Sequence, residues 1–357
     1  MANTRRPAAV RRRRALRVLV AMHEDVVPPP DAHRLGRAAT WDYLMELEVV
    51  RGLRALGHDV RVLGVGDELR PVADALATHR PDLVFNIVQW FHDVIAYEAH
   101  FVAFLELCKQ PYTGCNPRGL ALAGDKVLAK QLLAWHRIPQ PAFAVFPRGE
   151  RRRRPQLPAG VTFPVIVKTA DRHGSAGIAQ ASVVHDNRAL AARVAFLHRT
   201  QRADALVERF LPGREFSVGV LGNDRLAVLP VWETWFDKLP AGHAAIATER
   251  VKWDERHQRR IGLRSGPARR LPAALRRELR ALAQRTYRAL RLSGYARIDF
   301  RLDGEGRPHV IEANANSDLT PGEDFPESAR HAGIGYQRLL QRVVAAGLSY
   351  RPAWRQS

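Results

Sequence analysis

Long apolar runs and paired cysteines are both missing from this sequence of 357 residues. No segment approaches the roughly 18 uninterrupted apolar residues of a membrane-spanning helix, which argues against an integral membrane protein of that kind. The best N-terminal apolar segment, residues 15–22, is not followed by a signal-peptide cleavage site. The only cysteines, Cys108 and Cys115, cannot form a disulfide framework and lack the spacing of a zinc site. These absences predict a cytoplasmic protein with no membrane partner.

Lysine is also scarce, although the formal net charge is +20. Only six of the 56 basic residues are lysines, so the arginine excess has the character of a compositional bias. Neither the arginine-rich tail (1–14) nor the run 151–154 has interleaved aromatic residues on which bases would stack. We therefore expect a disordered basic tail and no nucleic-acid partner, and we regard each isolated lysine as informative.

The length exceeds what a single core usually holds, and 46% hydrophobic with 26% charged residues is typical of a globular protein. In the first part of the chain, apolar strands (16–20, 60–65, 82–88) alternate with helical periodicity (41–56, 94–107). This alternation predicts an open α/β domain of the Rossmann-like, doubly wound kind over residues 15–118. Ligand contacts are expected at the carboxyl ends of its strands.

The rest of the chain is predicted to be α+β in two parts, residues 119–203 and 204–350. A helix (126–136) and two strands (142–146, 165–168) open the first part. Three strands (206–210, 215–221, 226–232), a long helix (273–292) and a strand pair (295–314) follow in the second.

Three of the isolated lysines lie where an anion would stabilise them. Lys168 ends a β-branched strand and precedes a small-residue turn, 174–177, in which Ser175 and the backbone amides can hold phosphate oxygens. Lys126 begins a helix behind the N-cap Asp125, where a cation opposes the helix dipole. Lys252 is surrounded by arginines. Ordinary solvated lysines and a hairpin loop remain the alternative for each feature taken singly.

The strand pair 295–314 carries polar side chains on one face. Alternation places Arg297 with Asp299, and Glu312 with Asn314, on that face. A two-residue turn at 304–305 predicts that Arg297 pairs with Glu312, with Asp299 diagonal to it. Carboxylate and amide oxygens are suitable ligands for Mg²⁺, so Asp299, Glu312 and Asn314 are predicted metal ligands. The alternative is a surface ladder of ion pairs with Arg297.

The segment 205–215 is predicted to form a strand, a turn and a second strand that begins with Glu215. Glu208 or the adjacent backbone is placed to bond an adenine edge, and Glu215 to accept hydrogen bonds from ribose hydroxyls. Taken alone, the segment is equally typical of an ordinary hairpin.

The order of these features resembles that of the ATP-grasp superfamily, and specifically of the D-alanine:D-alanine ligases, over residues 81–346. The resemblance implies an ATP-grasp fold behind a pre-ATP-grasp domain, and ATP bound between the second and third domains. It implies roles at phosphate for Lys126, Lys168 and Ser175, at adenine and ribose for the segment with Glu208, Phe210, Leu211 and Glu215, and at two Mg²⁺ ions (or Mn²⁺) for Asp299, Glu312 and Asn314.

The reaction implied by the resemblance joins a carboxylate to an amine through an acyl phosphate, and the small-molecule substrates are amino-acid-like. Arg297 is expected to stabilise the tetrahedral intermediate and Lys252 the transferring phosphate. Similar ligases also imply a homodimer.

Two segments depart from the ligase pattern. The turn after the first strand (22–27) is not glycine-rich, and residues 87–92 replace a His-Gly turn. D-Alanine is therefore not the expected substrate, and Glu98 and His92 are weighed as pocket residues against purely structural roles. A true D-alanine:D-alanine ligase and an ATP-binding scaffold without ligase activity are the alternative functions.

Overall fold

The computed structural model describes residues 15–149, 155–170 and 177–355. The predicted disordered tail (1–14), the arginine run 151–154 and Ser175 of the predicted phosphate loop lie outside the described residues. Within these ranges no helix is both long and apolar enough to cross a bilayer.

The N-terminal unit contains a parallel three-stranded sheet. Its order is β2 (Asp59–Val65), β1 (Arg17–His23), β3 (Leu83–Asn86). Its central strand is almost fully buried, as expected for a strand covered on both faces. Gly57, at φ +81°, follows the end of α1 as predicted. Part of the predicted helix 41–56 is instead a 3₁₀ helix, Arg37–Tyr43. The elements are β1 (Arg17–His23), α1 (Leu44–Ala55), β2 (Asp59–Val65), α2 (Arg70–His79), β3 (Leu83–Asn86) and α3 (Glu98–Leu107).

The central unit contains an antiparallel four-stranded sheet in the order β4-β7-β5-β6, with its own hydrophobic core between residues 146 and 207. The strand Ala205–Arg209, which begins the part predicted to start at residue 204, pairs with β4 and β5 of this sheet. The elements are α4 (Pro117–Gly124), α5 (Lys126–Trp135), β4 (Phe143–Phe146), β5 (Val165–Thr169), β6 (Val183–Val184), α6 (Asn187–Phe196) and β7 (Ala205–Arg209).

The C-terminal unit contains an antiparallel five-stranded sheet in the order β10-β9-β8-β11-β12. Helix α9 covers one face of this sheet, against apolar side chains such as Phe216, Val218 and Ile298. The elements are β8 (Glu215–Leu221), β9 (Ala227–Phe236), α7 (Glu249–Trp253), α8 (Glu255–Ile261), β10 (Leu263–Pro267), α9 (Ala273–Ala289), β11 (Tyr295–Leu302), β12 (Pro308–Ala315), α10 (Asp324–His331) and α11 (Tyr336–Ser349).

Two large cores join the N-terminal and C-terminal units. One extends from β1 and α3 through α4 and α5 to α9 and the five-stranded sheet. The other places α11 and α10 against the opposite face of the parallel sheet, where Leu340 lies over Gly52 of α1. Helices α4 and α5, assigned to the second domain from the sequence, therefore pack with the larger core.

The predicted register of the β11–β12 hairpin is wrong. Asp299 lies directly opposite Glu312, and Arg297 lies opposite Asn314, with an irregularity after Asp299. The turn is longer than two residues because the Asp303 carboxylate accepts hydrogen bonds from the backbone amides of Glu305 and Arg307, both at 2.9 Å. The two carboxylates of the predicted metal site are thus direct cross-strand neighbours.

Candidate active site

A polar face on the C-terminal sheet is formed by alternate residues of β8, β11 and β12. Glu215 pairs with Arg301, and Ser217 with Asp299, across β8 and β11. Because successive side chains of a strand point to opposite faces, the apolar residues between them point into the core under α9. The polar side chains therefore share one face of the sheet, and the opposite face packs against the core.

Arg297, Asp299 and Asn314 form a hydrogen-bonded group on this face. The Arg297 guanidinium donates two hydrogen bonds to the Asp299 carboxylate, at 2.8 and 3.0 Å, and the Asn314 amide donates a third at 2.8 Å. Burial and the neighbouring Glu312 raise the pKa of Asp299, although Arg297 opposes them. Burial works against the charge of Arg297, but the Asp299 carboxylate outweighs it and raises the pKa of Arg297. The predicted ion pairing with Arg297 is thus made to Asp299, not to Glu312.

Glu312 instead contacts Lys126, whose Nζ lies 3.1 Å from Oε1. Lys126 is buried in the first turn of α5, and the predicted N-cap Asp125 accepts a hydrogen bond from the Leu128 amide at 2.9 Å. The lysine cation opposes the dipole of α5, and the Glu312 carboxylate stabilises it there.

Glu208 is the centre of a buried charge cluster that joins the central sheet to α5. Lys168 Nζ lies 2.5 Å from Oε2, and Lys130 Nζ contacts Oε1. The exposed fractions of these side chains are 8%, 3% and 2% for Lys168, Lys130 and Glu208. Burial alone would raise the pKa of Glu208, but the two ammonium groups lower it. Its carboxylate is engaged by lysines, so its implied role at adenine stays a prediction.

Phe210, Leu211 and Glu215 lie where the central sheet meets the C-terminal sheet. The Phe210 amide donates to the Pro164 carbonyl at 2.8 Å, and the Arg301 guanidinium stands 5.5 Å from the centre of the Phe210 ring. Arg301 Nε is also 3.7 Å from a Glu215 oxygen, and Leu211 is buried. Burial raises the pKa of Glu215 despite this arginine. The three predicted nucleotide residues are thus brought to one junction.

The segment that follows residues 171–176 is fastened to the region of Lys252. The Gly177 amide donates to Glu249 on α7 at 2.9 Å, and Gln180 exchanges two hydrogen bonds with the backbone of Ala244. Lys252 lies on the same short helix α7, which Thr248 caps. The structure therefore places Lys252 beside the end of the predicted phosphate loop.

Carboxylates of the N-terminal unit and of the loop after β12 lie beyond the polar face. Glu98 accepts a 2.6 Å hydrogen bond from the Asn316 amide, whose oxygen accepts from the Cys115 amide at 2.7 Å. Burial raises the pKa of Glu98 to about 8, and burial raises the pKa values of Glu46 and Glu323 to about 7. His92, by contrast, is half exposed and lies 3.3 Å from Asp67.

Two buried cations of the site, Lys130 and Arg301, are absent from the sequence prediction. Lys130 follows Lys126 by one helical turn, a spacing that places both on the same face of α5. Arg301 continues the alternation of Arg297 and Asp299 along β11. Both signals are visible in the sequence, and periodicity applied to every charged residue would have found them.

Oxygen donors for a divalent cation are present on the polar face. Asp299 and Glu312 supply carboxylates, and Asn314 supplies an amide. Among the described residues no three His, Cys, Asp or Glu side chains converge as a ready-made metal centre. The donor set fits Mg²⁺, which is usually held by one or two carboxylates together with phosphate oxygens and water.

Comparisons with known proteins agree with this arrangement. Residues 132–345 match the family described as D-ala D-ala ligase C-terminus. An uncharacterized protein of Sinorhizobium fredii, y4sG, is 30% identical over 323 residues, covering 88% of this chain and 89% of that protein. The D-alanine–D-alanine ligase of Geotalea uraniireducens is 30% identical over 298 residues, covering 84% and 88%.

The solved structure of D-alanine–D-alanine ligase from Bacillus anthracis complexed with ATP has the same overall fold. It aligns with a TM-score of 0.69 at 19% sequence identity, and the alignment covers 94% of this chain and 98% of that one. This likeness confirms the ATP-grasp architecture predicted from the sequence.

Proposed function

The chain belongs to the D-alanine–D-alanine ligase family, whose members are ATP-dependent enzymes that form peptide bonds, and from this membership we propose that it joins a carboxylate to an amine through an acyl phosphate. We take the substrates to be small and amino-acid-like. The observation that carries the proposal is the placement of buried lysines against carboxylates of both the polar face and the central sheet. Lys126 contacts Glu312 of the polar face, and Lys168 contacts Glu208, which Lys130 of the same helix as Lys126 also contacts.

The charges of the site are complementary to those of a nucleotide with its metal. Phosphate oxygens would take over the contacts of Lys126 and Lys168, and Asp299, Glu312 and Asn314 would hold Mg²⁺. Bound Mg²⁺ would neutralise the phosphate oxygens and offset the repulsion between Asp299 and Glu312. The Phe210–Leu211 segment and Glu215 would hold the base and the ribose at the junction between the two sheets.

In the first step, a substrate carboxylate oxygen attacks the γ-phosphorus of ATP and ADP leaves. The amine nitrogen then attacks the acyl carbon, inorganic phosphate leaves, and the nitrogen loses a proton. Lys252 on α7 would neutralise the transferring phosphate beside the loop that ends at Gly177. Arg297 would stabilise the oxyanion of the tetrahedral intermediate, because its strand holds the guanidinium in place before the reaction begins.

Calorimetry with ATP and Mg²⁺, followed by a screen of amino acids and dipeptides for stimulated ADP release, tests this proposal. We expect ATP affinity that requires Mg²⁺. Arg297→Ala should keep most of this affinity but lower turnover by about 10²–10³-fold. Glu312→Gln should weaken the Mg²⁺ dependence itself. The exposed Arg338→Ala is the matched control, and wild-type protein without Mg²⁺-dependent ATP affinity would contradict the proposal.

A second candidate is D-alanine–D-alanine ligase itself, because a relative with that name covers most of this chain. The segments after β1 and β3, which depart from the ligase pattern, argue against it. Phosphate release with D-alanine as the sole amino acid decides between the two. A homodimer remains a prediction of the family resemblance, and a cytoplasmic location remains a prediction from the apolar and cysteine content of the sequence.

A further inference from the structure

We propose that Lys130 is a positioning residue that keeps Glu208 neutralised when Lys168 leaves it to contact the phosphates of the nucleotide. The inference rests on the proposed function, because it requires a bound triphosphate. Of the two lysines that contact Glu208, Lys130 is the less exposed, with 3% of its side chain accessible against 8% for Lys168.

The two oxygens of the Glu208 carboxylate contact two different lysines. One oxygen contacts Lys130 of α5, and the other contacts Lys168 of β5. The buried cluster therefore sets two lysine side chains against one carboxylate, and burial lowers the pKa of Lys130 although Glu208 opposes this. One ammonium is in excess and remains available for an anionic ligand, while the other suffices for Glu208.

The two lysines differ in where they can move. Lys130 is enclosed between Glu208 and the ring of Phe143, whose centre lies 5.6 Å from Nζ. Lys168 is the more exposed of the two, and it lies near the end of β5, the strand that leads into the segment of the predicted phosphate loop. Lys168 is therefore the lysine that we assign to the phosphates, and Lys130 is the one enclosed beside Glu208.

Without Lys130, nucleotide binding would have to break a one-to-one buried ion pair. Lys168 would be needed by both the phosphate and Glu208, and an unpaired buried carboxylate is strongly unfavourable. Lys130 removes this competition. It therefore acts on nucleotide affinity through Glu208 rather than through a contact of its own.

Double-mutant calorimetry with Mg²⁺ and ATP separates this role from a merely structural one. We expect Lys130→Met to raise the dissociation constant of ATP at least about 10-fold, because Glu208 and the phosphates then compete for Lys168. Lys130→Met combined with Glu208→Gln should return it to within about 3-fold of wild type, because no carboxylate then holds Lys168. Lys109→Met, at an exposed lysine after α3, is the control.

An unchanged dissociation constant in folded Lys130→Met would overturn the inference, and so would a double variant as weak as the single one. Failure of the wild-type protein to bind ATP would instead overturn the proposed function.

If the single variant does not fold, an NMR measurement on the wild-type protein tests the same inference. The chain has only six lysines, so their ¹³Cε signals can be assigned by single Lys→Arg variants. Adding Mg²⁺ and ATP should shift the Lys168 signal and leave that of Lys130 in place; equal shifts would contradict the inference.

Discussion

Glu98 illustrates how burial sets the chemistry of a single side chain. Its pKa is raised to about 8 by burial, against the opposing hydrogen bond from Asn316. A carboxyl group whose pKa is higher in the folded than in the unfolded protein stabilises the fold below its unfolded value of about 4.5. This stabilisation is lost as the pH rises through the folded pKa. At neutral pH Glu98 is thus mainly a protonated partner of Asn316.

Glu98→Gln should therefore change the pH dependence of stability. The amide keeps an oxygen for Asn316 and does not ionise. We expect the free energy of unfolding to match wild type at pH 5 and to exceed it by about 1–3 kcal/mol at pH 9. Urea unfolding at both pH values measures this difference. The exposed Glu68→Gln serves as the control, and a variant that is less stable than wild type at pH 9 would refute the argument.

At the scale of single residues, lysine scarcity is the strongest sequence signal. It points to Lys126 and Lys168, and the structure places them against Glu312 and Glu208, respectively. It marks Lys130 equally, but a sequence does not tell whether a helical lysine faces water or a buried carboxylate. The same limit applies to Glu208, whose two lysine contacts depend on how α5 packs beside the central sheet.

At the scale of elements, the β11–β12 hairpin determines the geometry of the predicted metal site. Asp303 organises its turn by accepting hydrogen bonds from two backbone amides, from Arg307 at 2.8 Å and from His309 at 3.1 Å. Strand alternation correctly predicts which residues share a face, since that depends only on the period of a strand. The register depends on the turn, and the Asp303 interactions are not readable from the pattern Asp-Gly-Glu-Gly.

Asp303→Ala should consequently destabilise the hairpin. Removing the buried Asp303 carboxylate leaves two backbone amides of the turn, Arg307 and His309 without their acceptor, and we expect the free energy of unfolding to fall by about 1–3 kcal/mol. ATP affinity should also weaken, since Asp299 and Glu312 lose their fixed register. Glu305→Ala removes only an exposed contact to Arg307 and should change stability by less than about 0.5 kcal/mol. Equal effects of the two substitutions would show that the turn does not depend on Asp303.

Helices α10 and α11 are elements that the sequence interpretation leaves out. Their apolar periodicity is visible, for example in the pairs Leu339 with Leu340 and Val343 with Val344, all buried in the second large core. What the sequence does not indicate is the partner of this apolar face. Helix α11 packs on the parallel sheet of the N-terminal unit, from which it is separated by more than two hundred residues.

At the scale of the whole molecule, two of the three units share their hydrophobic cores, and the third has a core of its own. The N-terminal and C-terminal units are joined through both large clusters, whereas the core of the central sheet is confined to residues between 146 and 207. Units that share a core unfold together, and a unit with a separate core can open by itself. The three predicted domains should therefore behave as two cooperative units.

Two fully buried leucines, Leu190 of α6 and Leu340 of α11, test this expectation, because their side chains are equally inaccessible. Each change to alanine should cost about 2–5 kcal/mol locally. In hydrogen exchange followed by mass spectrometry, Leu190→Ala should accelerate exchange in β5 and β7 while leaving β1 and β11 protected. Leu340→Ala should accelerate β1 and β11 together. Faster exchange of β1 in Leu190→Ala would mean that the chain unfolds as one unit. Independent opening of the central sheet would also give the nucleotide a route to the site, since Lys168 and Glu208 would move with that sheet while Glu312 and Asp299 would stay with the larger body.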